Sequence, residues 1–351
     1  MAILAALIYL QFRTWRGFDW AAFWSQTGQV HMLNIIYALA LNYLAYVLRA
    51  FRWKIFLRPV RENAKVIDLL APTFIGFTGL AILGRPGELI RPYLIARKED
   101  LPFSSQLAVW AVERIFDLGA FALLLLAAIF FAVGPRELAY YSRIRTGGFV
   151  LAGLVTILAV VAEVINLKGY AAADWIEKEF SHWPSKLAQR TALRIREFRS
   201  GLNAIHGVPS LIQLILASVL MWLTIALAFQ QVTHSYTALE LQIPISNVIV
   251  LMGSSIVGSL IQLPGVGGGS QLATIAALER VFNASHEVAA SCGILLWLVT
   301  FVSVIPLGLL LAHKERLSFR KLSEVSQQET IDLTTSGAGG ATKDDNFMSA
   351  A

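Results

Sequence analysis

The sequence predicts an all-α fold: a polytopic integral membrane helix bundle with two re-entrant or broken-helix regions of opposite orientation. Three observations predict it. The 351-residue chain is 56% hydrophobic and 15% charged, where a soluble domain carries about 25% charged residues. Several apolar runs approach or exceed the roughly 20 residues that a helix needs to cross a bilayer. Short apolar segments interrupted by glycine and proline occur in both halves, the pattern of broken helices.

The elements follow in order. Met1 to Phe12 is apolar but short and lacks the basic start of a signal peptide. It reads as a short or truncated first helix. Further apolar segments run at 31–57, 69–83, 104–133, 147–167, 209–233, 246–262, 266–281 and 286–312. Segment 69–83 contains Gly76 and Gly79 and stops at Gly84-Arg85-Pro86. Segments 246–262 and 266–281 are separated by Leu263-Pro264-Gly265 and run into Gly267-Gly268-Gly269. Irregular backbone at membrane depth is tolerable only where it packs in protein or lines a wet cavity.

Residues 171–207 differ. Leu187, Ile195, Phe198, Leu202 and Ile205 recur at helical spacing, while Arg190, Arg194, Arg196 and Arg199 take other faces. The reading is an amphipathic helix on the cytoplasmic leaflet, with Trp175 and Trp183 at headgroup level. A solvated basic connector is the plainer alternative. From Ser323 to Ala351 the chain is rich in Ser, Thr, Gly and Asp and reads as a disordered tail. The transmembrane domain is therefore placed at 1–315 and the tail at 323–351.

The net charge of +6 resembles a nucleic-acid signal until the basic residues are located. They cluster in loops beside membrane segments, 21 on one side against 6 on the other. The richer set includes Arg49, Arg52, Arg85 and Arg91. The split follows the positive-inside rule with the C-terminus cytoplasmic, provided that 69–97 dips into one face and 246–281 into the other. The single cysteine, Cys292, excludes an intrachain disulfide and reads as a small packing residue.

Charge inside apolar segments carries the functional argument, because intramembrane ionisable residues are costly and mark sites by default. In Gly84-Arg85-Pro86-Gly87-Glu88, the glycines and proline break the helix, and Pro86 suits the first turn of a new one. Arg85 and Arg91 can each make forked hydrogen bonds to a phosphate. Glu88 would pair with an arginine in the empty site. A buried Arg–Glu network that only fixes the bundle is the alternative. Within 104–133, Glu113 and Asp117 are four apart and share a helix face, with Arg114 three before Asp117. Two such carboxylates repel unless one is protonated or both meet arginines. One connected network with the first broken helix is one reading; a local Arg114–Asp117 pair is the other.

Pro264-Gly265-Val266-Gly267-Gly268-Gly269 lacks the context and lysine of a nucleotide loop. It reads as a sharp turn opening a half-helix whose amides could face an anionic headgroup, or as a packing turn. The six histidines stand singly, with no metal or nucleophile–base spacing. Asn283-Ala284-Ser285 fits a glycosylation sequon.

Gly84-Arg85-Pro86-Gly87-Glu88-Leu89-Ile90-Arg91-Pro92-Tyr93-Leu94, then Val112-Glu113-Arg114-Ile115-Phe116-Asp117, then Leu263-Pro264-Gly265, resembles the flippase-like transmembrane region of bacterial lysylphosphatidylglycerol synthases and their stand-alone relatives. Arg49-Ala50-Phe51-Arg52-Trp53 looks like that family's basic-aromatic end of an early helix. The resemblance covers roughly residues 1–315. It implies a multi-pass protein of the bacterial inner membrane that moves lipids or lipid-linked sugars between leaflets, its two re-entrant regions framing the path. Relatives usually carry an acidic residue soon after the second glycine turn, where this chain has Ser270-Gln271. The synthases' soluble aminoacyl-transfer domain has no counterpart here, so lipid aminoacylation is not expected.

The expected function is thus a lipid translocase for an anionic phospholipid or lipid-linked sugar, not an enzyme, with no cofactor and no metal. Its expected substrate-binding residues are Arg85, Glu88, Arg91, Glu113, Arg114, Asp117, Pro264, Gly265 and Gly267. Arg85→Ala is expected to abolish lipid movement. Two alternatives stand beside it: a membrane-embedded lipid-phosphate transferase with Glu113 or Asp117 as base, and a scaffold for a synthase or glycosyltransferase partner.

Overall fold

A computed structural model describes residues 19–131, 141–179, 207–259, 262–263 and 267–315, with 161–179 as backbone. Met1–Phe12, the Pro264-Gly265 turn, most of the 171–207 segment and the 323–351 tail lie outside these residues. The helices in order are α1 (Trp20–Gly28), α2 (Met32–Leu57), α3 (Val66–Leu83), α4 (Ile90–Glu99), α5 (Phe103–Phe131), α6 (Tyr141–Glu179) and α7 (Gly207–Thr233). Then come α8 (Ile245–Gly258), α9 (Gly269–Arg280), α10 (His286–Trp297) and α11 (Val304–Lys314).

Six stretches among the described residues are long and apolar enough to cross a membrane: α2, α3, α5, the first part of α6, α7, and α10 with α11. The protein is a multi-pass membrane protein. Exposed apolar side chains such as Ile36, Leu123, Ile157, Leu220 and Leu310 cover its outside. On a soluble protein such patches would be a liability; here they suit lipid.

The short helices build two hairpins, α4 with α3 and α8 with α9. In the first, α3 ends at Gly84, whose φ of 74° and ψ of −151° suit glycine alone. A 3₁₀ turn over Arg85–Leu89 with Pro86 near its start reverses the chain into α4. The return is tight: a side chain on Gly87 would overlap the Gly79 carbonyl, and one on Gly76 would meet Arg91. In the second, a two-residue antiparallel ladder pairs Gln262 with Gly268 and Leu263 with Gly267 between α8 and α9. A side chain on Gly258 would overlap the Gly269 carbonyl. With 10, 14 and 12 residues, α4, α8 and α9 are too short to cross a core of about 30 Å.

The last span is not a regular helix. Leu298–Val302 form a π turn between α10 and α11, which leaves carbonyls without their usual helical partners. α2 satisfies them. Asn42 Nδ2 donates to the Val299 carbonyl (2.9 Å) and Tyr43 Oη to the Ser303 carbonyl (2.7 Å). The α2 start is tied to the end of α7 by the His31 amide on the Ser235 carbonyl and Asn34 Nδ2 on the His234 carbonyl. Beyond the spans, Tyr236 hydrogen-bonds Ser291, which also bonds Thr27 of α1. Burial holds the Tyr236 phenol neutral by raising its pKa.

Candidate functional site

The site grows from the end of α2. Arg49, Arg52 and Trp53 lie on its inner side, and Arg52 and Trp53 are wholly buried. Burying a guanidinium is expensive unless carboxylates meet it. α5 supplies both: Glu113 and Asp117, one helical turn apart, point at the same place. Arg52 bridges them, giving Nη2 to Glu113 Oε1 at 2.7 Å and Nη1 to Asp117 Oδ1. It also donates to Ser218 Oγ of α7 at 3.2 Å.

The first hairpin closes on the same carboxylates. Arg91 of α4 donates to both oxygens of Glu113. Trp53 Nε1 adds a bond to Oε2 at 3.0 Å. Glu113 thus accepts from α2 and α4 together, a forked arrangement that fixes three helices. Asp117 Oδ2 lies 3.1 Å from Arg114 Nη2 and 3.6 Å from Arg49 Nη1, both ion pairs without aligned hydrogen bonds. The Arg49 and Arg91 guanidiniums stack over Phe77 at 4.8 and 5.2 Å. Four arginines therefore surround two carboxylates, and the cluster carries excess positive charge.

Arg49 is the cluster member that lines the larger cavity, of about 200 Å³. It does so with Asn42 and Tyr46 of α2, Phe77 and Leu80 of α3, Trp222 of α7, Ser255, Ser259 and Ser270 of the second hairpin, and Thr300 of the π turn. Both hairpins therefore frame it. A neighbouring chamber of about 90 Å³ shares the three serines and Thr300, and adds Thr274 and Trp297.

The expected site residues divide accordingly. Arg91, Glu113, Arg114 and Asp117 come together in one network that joins α5 to the first hairpin. Arg85 and Glu88 do not join it. They pair with each other at 2.9 Å, with the Arg85 side chain 48% exposed. Arg85 Nη2 also donates to the Ser259 carbonyl at 2.7 Å. It thereby caps the negative end of α8 and links the hairpin tips. Glu88 lines a small crevice with Arg91 and Arg114. Gly267 sits in the ladder; Pro264 and Gly265 lie outside the described residues.

Arg49, Arg52 and Trp53 were missing from the expected set, because the arginines count as loop charges when read beside Lys54, Arg58 and Arg61. Their burial removes them, and Arg91, from the loop tally of basic residues. The signal that finds them is Asn42, Tyr46 and Arg49 at spacings of four and three, a polar stripe on one face of an apolar helix.

Comparison with known proteins places the chain among membrane proteins. The chain is 26% identical over 284 residues to a UPF0104 membrane protein of Methanothermobacter thermautotrophicus, covering 78% of this chain and 81% of that protein. It is 30% identical over 95 residues to a protein named Glycosyltransferase AglD of Haloferax volcanii, 27% of this chain. The chain spans only 15% of that protein's length. No solved structure matches it significantly. The family described as lysylphosphatidylglycerol synthase TM region matches residues 1–308, and the chain belongs to that family.

Proposed function

We propose that this member of the lysylphosphatidylglycerol synthase TM region family is a lipid translocase, moving an anionic phospholipid or lipid-linked sugar between leaflets. The observation that carries the reading is the excess positive charge at the wall of a cavity framed by both hairpins. A surplus guanidinium at membrane depth is costly until an anion meets it. A phosphate supplies that charge and accepts the forked bonds that arginine offers.

In this reading the short hairpins are re-entrant and enter from opposite faces. The headgroup passes between them while its tails stay in lipid. Arg49 meets the phosphate first, since its Nη1 finds no hydrogen-bond partner among the described residues. Glu113 and Asp117 hold Arg52, Arg91 and Arg114 in place and balance the charge between passages. The amides opening α9 add a positive helix end beside Ser270. Arg85 holds the hairpin tips together. The match to a protein named a glycosyltransferase keeps a sugar-bearing lipid beside phospholipid as cargo.

The test is translocation in vesicles carrying the purified protein. Headgroup-labelled phosphatidylglycerol should become accessible to a membrane-impermeant quencher faster than in protein-free vesicles, and faster than labelled phosphatidylcholine. Identical rates in all three would remove the translocase reading.

A further inference from the structure

The hydroxyls in the cavity wall point to a second recognition element, and this inference rests on the translocase reading above. Ser259 Oγ donates to the Ile256 carbonyl at 2.7 Å. Thr274 Oγ1 donates to the Ser270 carbonyl at 2.8 Å and Thr300 Oγ1 to the Leu296 carbonyl at 2.7 Å. Ser255 and Ser270 share one proton across the gap between α8 and α9 at 2.7 Å. A hydroxyl has one proton and two acceptor lone pairs. These five groups have therefore spent most of their protons internally and keep acceptor capacity.

That capacity decides what they suit. A phosphate oxygen only accepts, so it gains little from a wall of acceptors. A ligand hydroxyl donates and is complementary to it. The lining also holds donors of a different kind. The indole N–H groups of Trp222 and Trp297 are buried and find no acceptor among the described residues. Each ring lines its chamber and offers it an apolar face. Arg49, the group suited to an anion, lines the larger cavity with Trp222, while Trp297 and Thr274 line the neighbouring chamber that shares Ser255, Ser259, Ser270 and Thr300 with it. Among the described residues no carboxylate lines either chamber, and none of them favours a cationic headgroup.

We propose that the cavity and its neighbouring chamber together form a site for a polyhydroxylated phosphate headgroup: phosphate at Arg49, polyol hydroxyls at Ser255, Ser259, Ser270 and Thr300 shared by both, and at Thr274 in the chamber. Two sources share this chemistry, a glycosyl phosphate on an isoprenoid and a polyol phosphate on a glycerolipid. The serines of the second hairpin set the preference among anionic lipids, and Arg49 sets the preference for anions.

The experiment is calorimetric titration of the full chain in detergent with five probes. They are dioctanoyl phosphatidylinositol, phosphatidylglycerol, phosphatidic acid and phosphatidylcholine, and a short-chain isoprenyl phosphohexose. At least one polyol phosphate should bind about tenfold more tightly than phosphatidic acid, as expected of a few added hydrogen bonds. The tighter of the glycosyl and glycerolipid arms identifies the source. Ser255→Ala/Ser270→Ala should bring that ratio near one, while Arg49→Gln weakens every anionic probe. Thr274→Val, which preserves shape, should lower the ratio in the same direction and guards against a misfolded double variant. Equal binding of phosphatidic acid and the polyol probes, or a ratio unchanged in all the hydroxyl variants, would overturn the polyol site and leave the anionic translocase standing. Anionic probes binding no better than phosphatidylcholine would overturn both.

Discussion

The two hairpins solve the same packing problem and differ in what they bring to the centre. Both let backbone meet backbone at glycine, Gly79 with Gly87 in one and Gly258 with Gly269 in the other. The first then inserts a buried arginine, Arg91, onto Glu113. The described part of the second brings hydroxyls, Ser255, Ser259 and Ser270, and one pairs its two helices directly. One hairpin is held by charge and the other by close backbone approach and neutral hydrogen bonds. The cavity between them is accordingly lined by an arginine of the charged cluster and by hydroxyls of the second hairpin.

That contrast can be broken by substitution, and the largest effect belongs to the charged hairpin. Arg91→Ala leaves a buried carboxylate with fewer partners and should cost about 3–5 kcal/mol, read as a lowered unfolding temperature in detergent. An unchanged unfolding temperature would mean that the hairpin does not depend on this pair. Next come the shared turns. Gly87→Val and Gly258→Val should each cost about 1–3 kcal/mol by forcing the backbones apart. If only one is harmful, the hairpins do not share a packing rule. Ser255→Ala should cost less, about 0.6 kcal/mol, as for a typical hydrogen bond between membrane helices. Smallest is Arg85→Ala, about 0–1 kcal/mol, because its ion pair with Glu88 is half exposed. Raising the salt concentration should remove the ion-pair share of that last difference, while the Arg85 bond to the Ser259 carbonyl and the Arg91 effect stay nearly intact.

The architecture was legible because length and breaks are local signals. The spans at 31–57, 104–133 and 209–233 correspond closely to α2, α5 and α7. Gly84-Arg85-Pro86 marks the first reversal within a residue, and the i, i+4 spacing of Glu113 and Asp117 placed both carboxylates on one face. What was not legible is which arginines they meet. Arg49 and Arg52 adjoin a basic loop, and linear sequence does not distinguish an arginine that caps a helix from one buried in it. Arg85, the first charge in the most conspicuous motif, proved to lie at the rim. The π turn at Leu298–Val302 also left no mark, since its stabilising partners are side chains of α2 far away in sequence.

The interior and rim arginines give the most direct test. Translocation of labelled phosphatidylglycerol should be compared in vesicles carrying wild type, Arg49→Gln or Arg85→Ala protein, each first shown to be folded by its unfolding temperature. Arg49→Gln should lower the rate at least about tenfold, the loss of one charge-assisted contact. Arg85→Ala should stay within about threefold of wild type, as for an exposed pair. A folded Arg49→Gln protein that moves the lipid at the wild-type rate would contradict the central claim that the buried surplus charge recognises the headgroup.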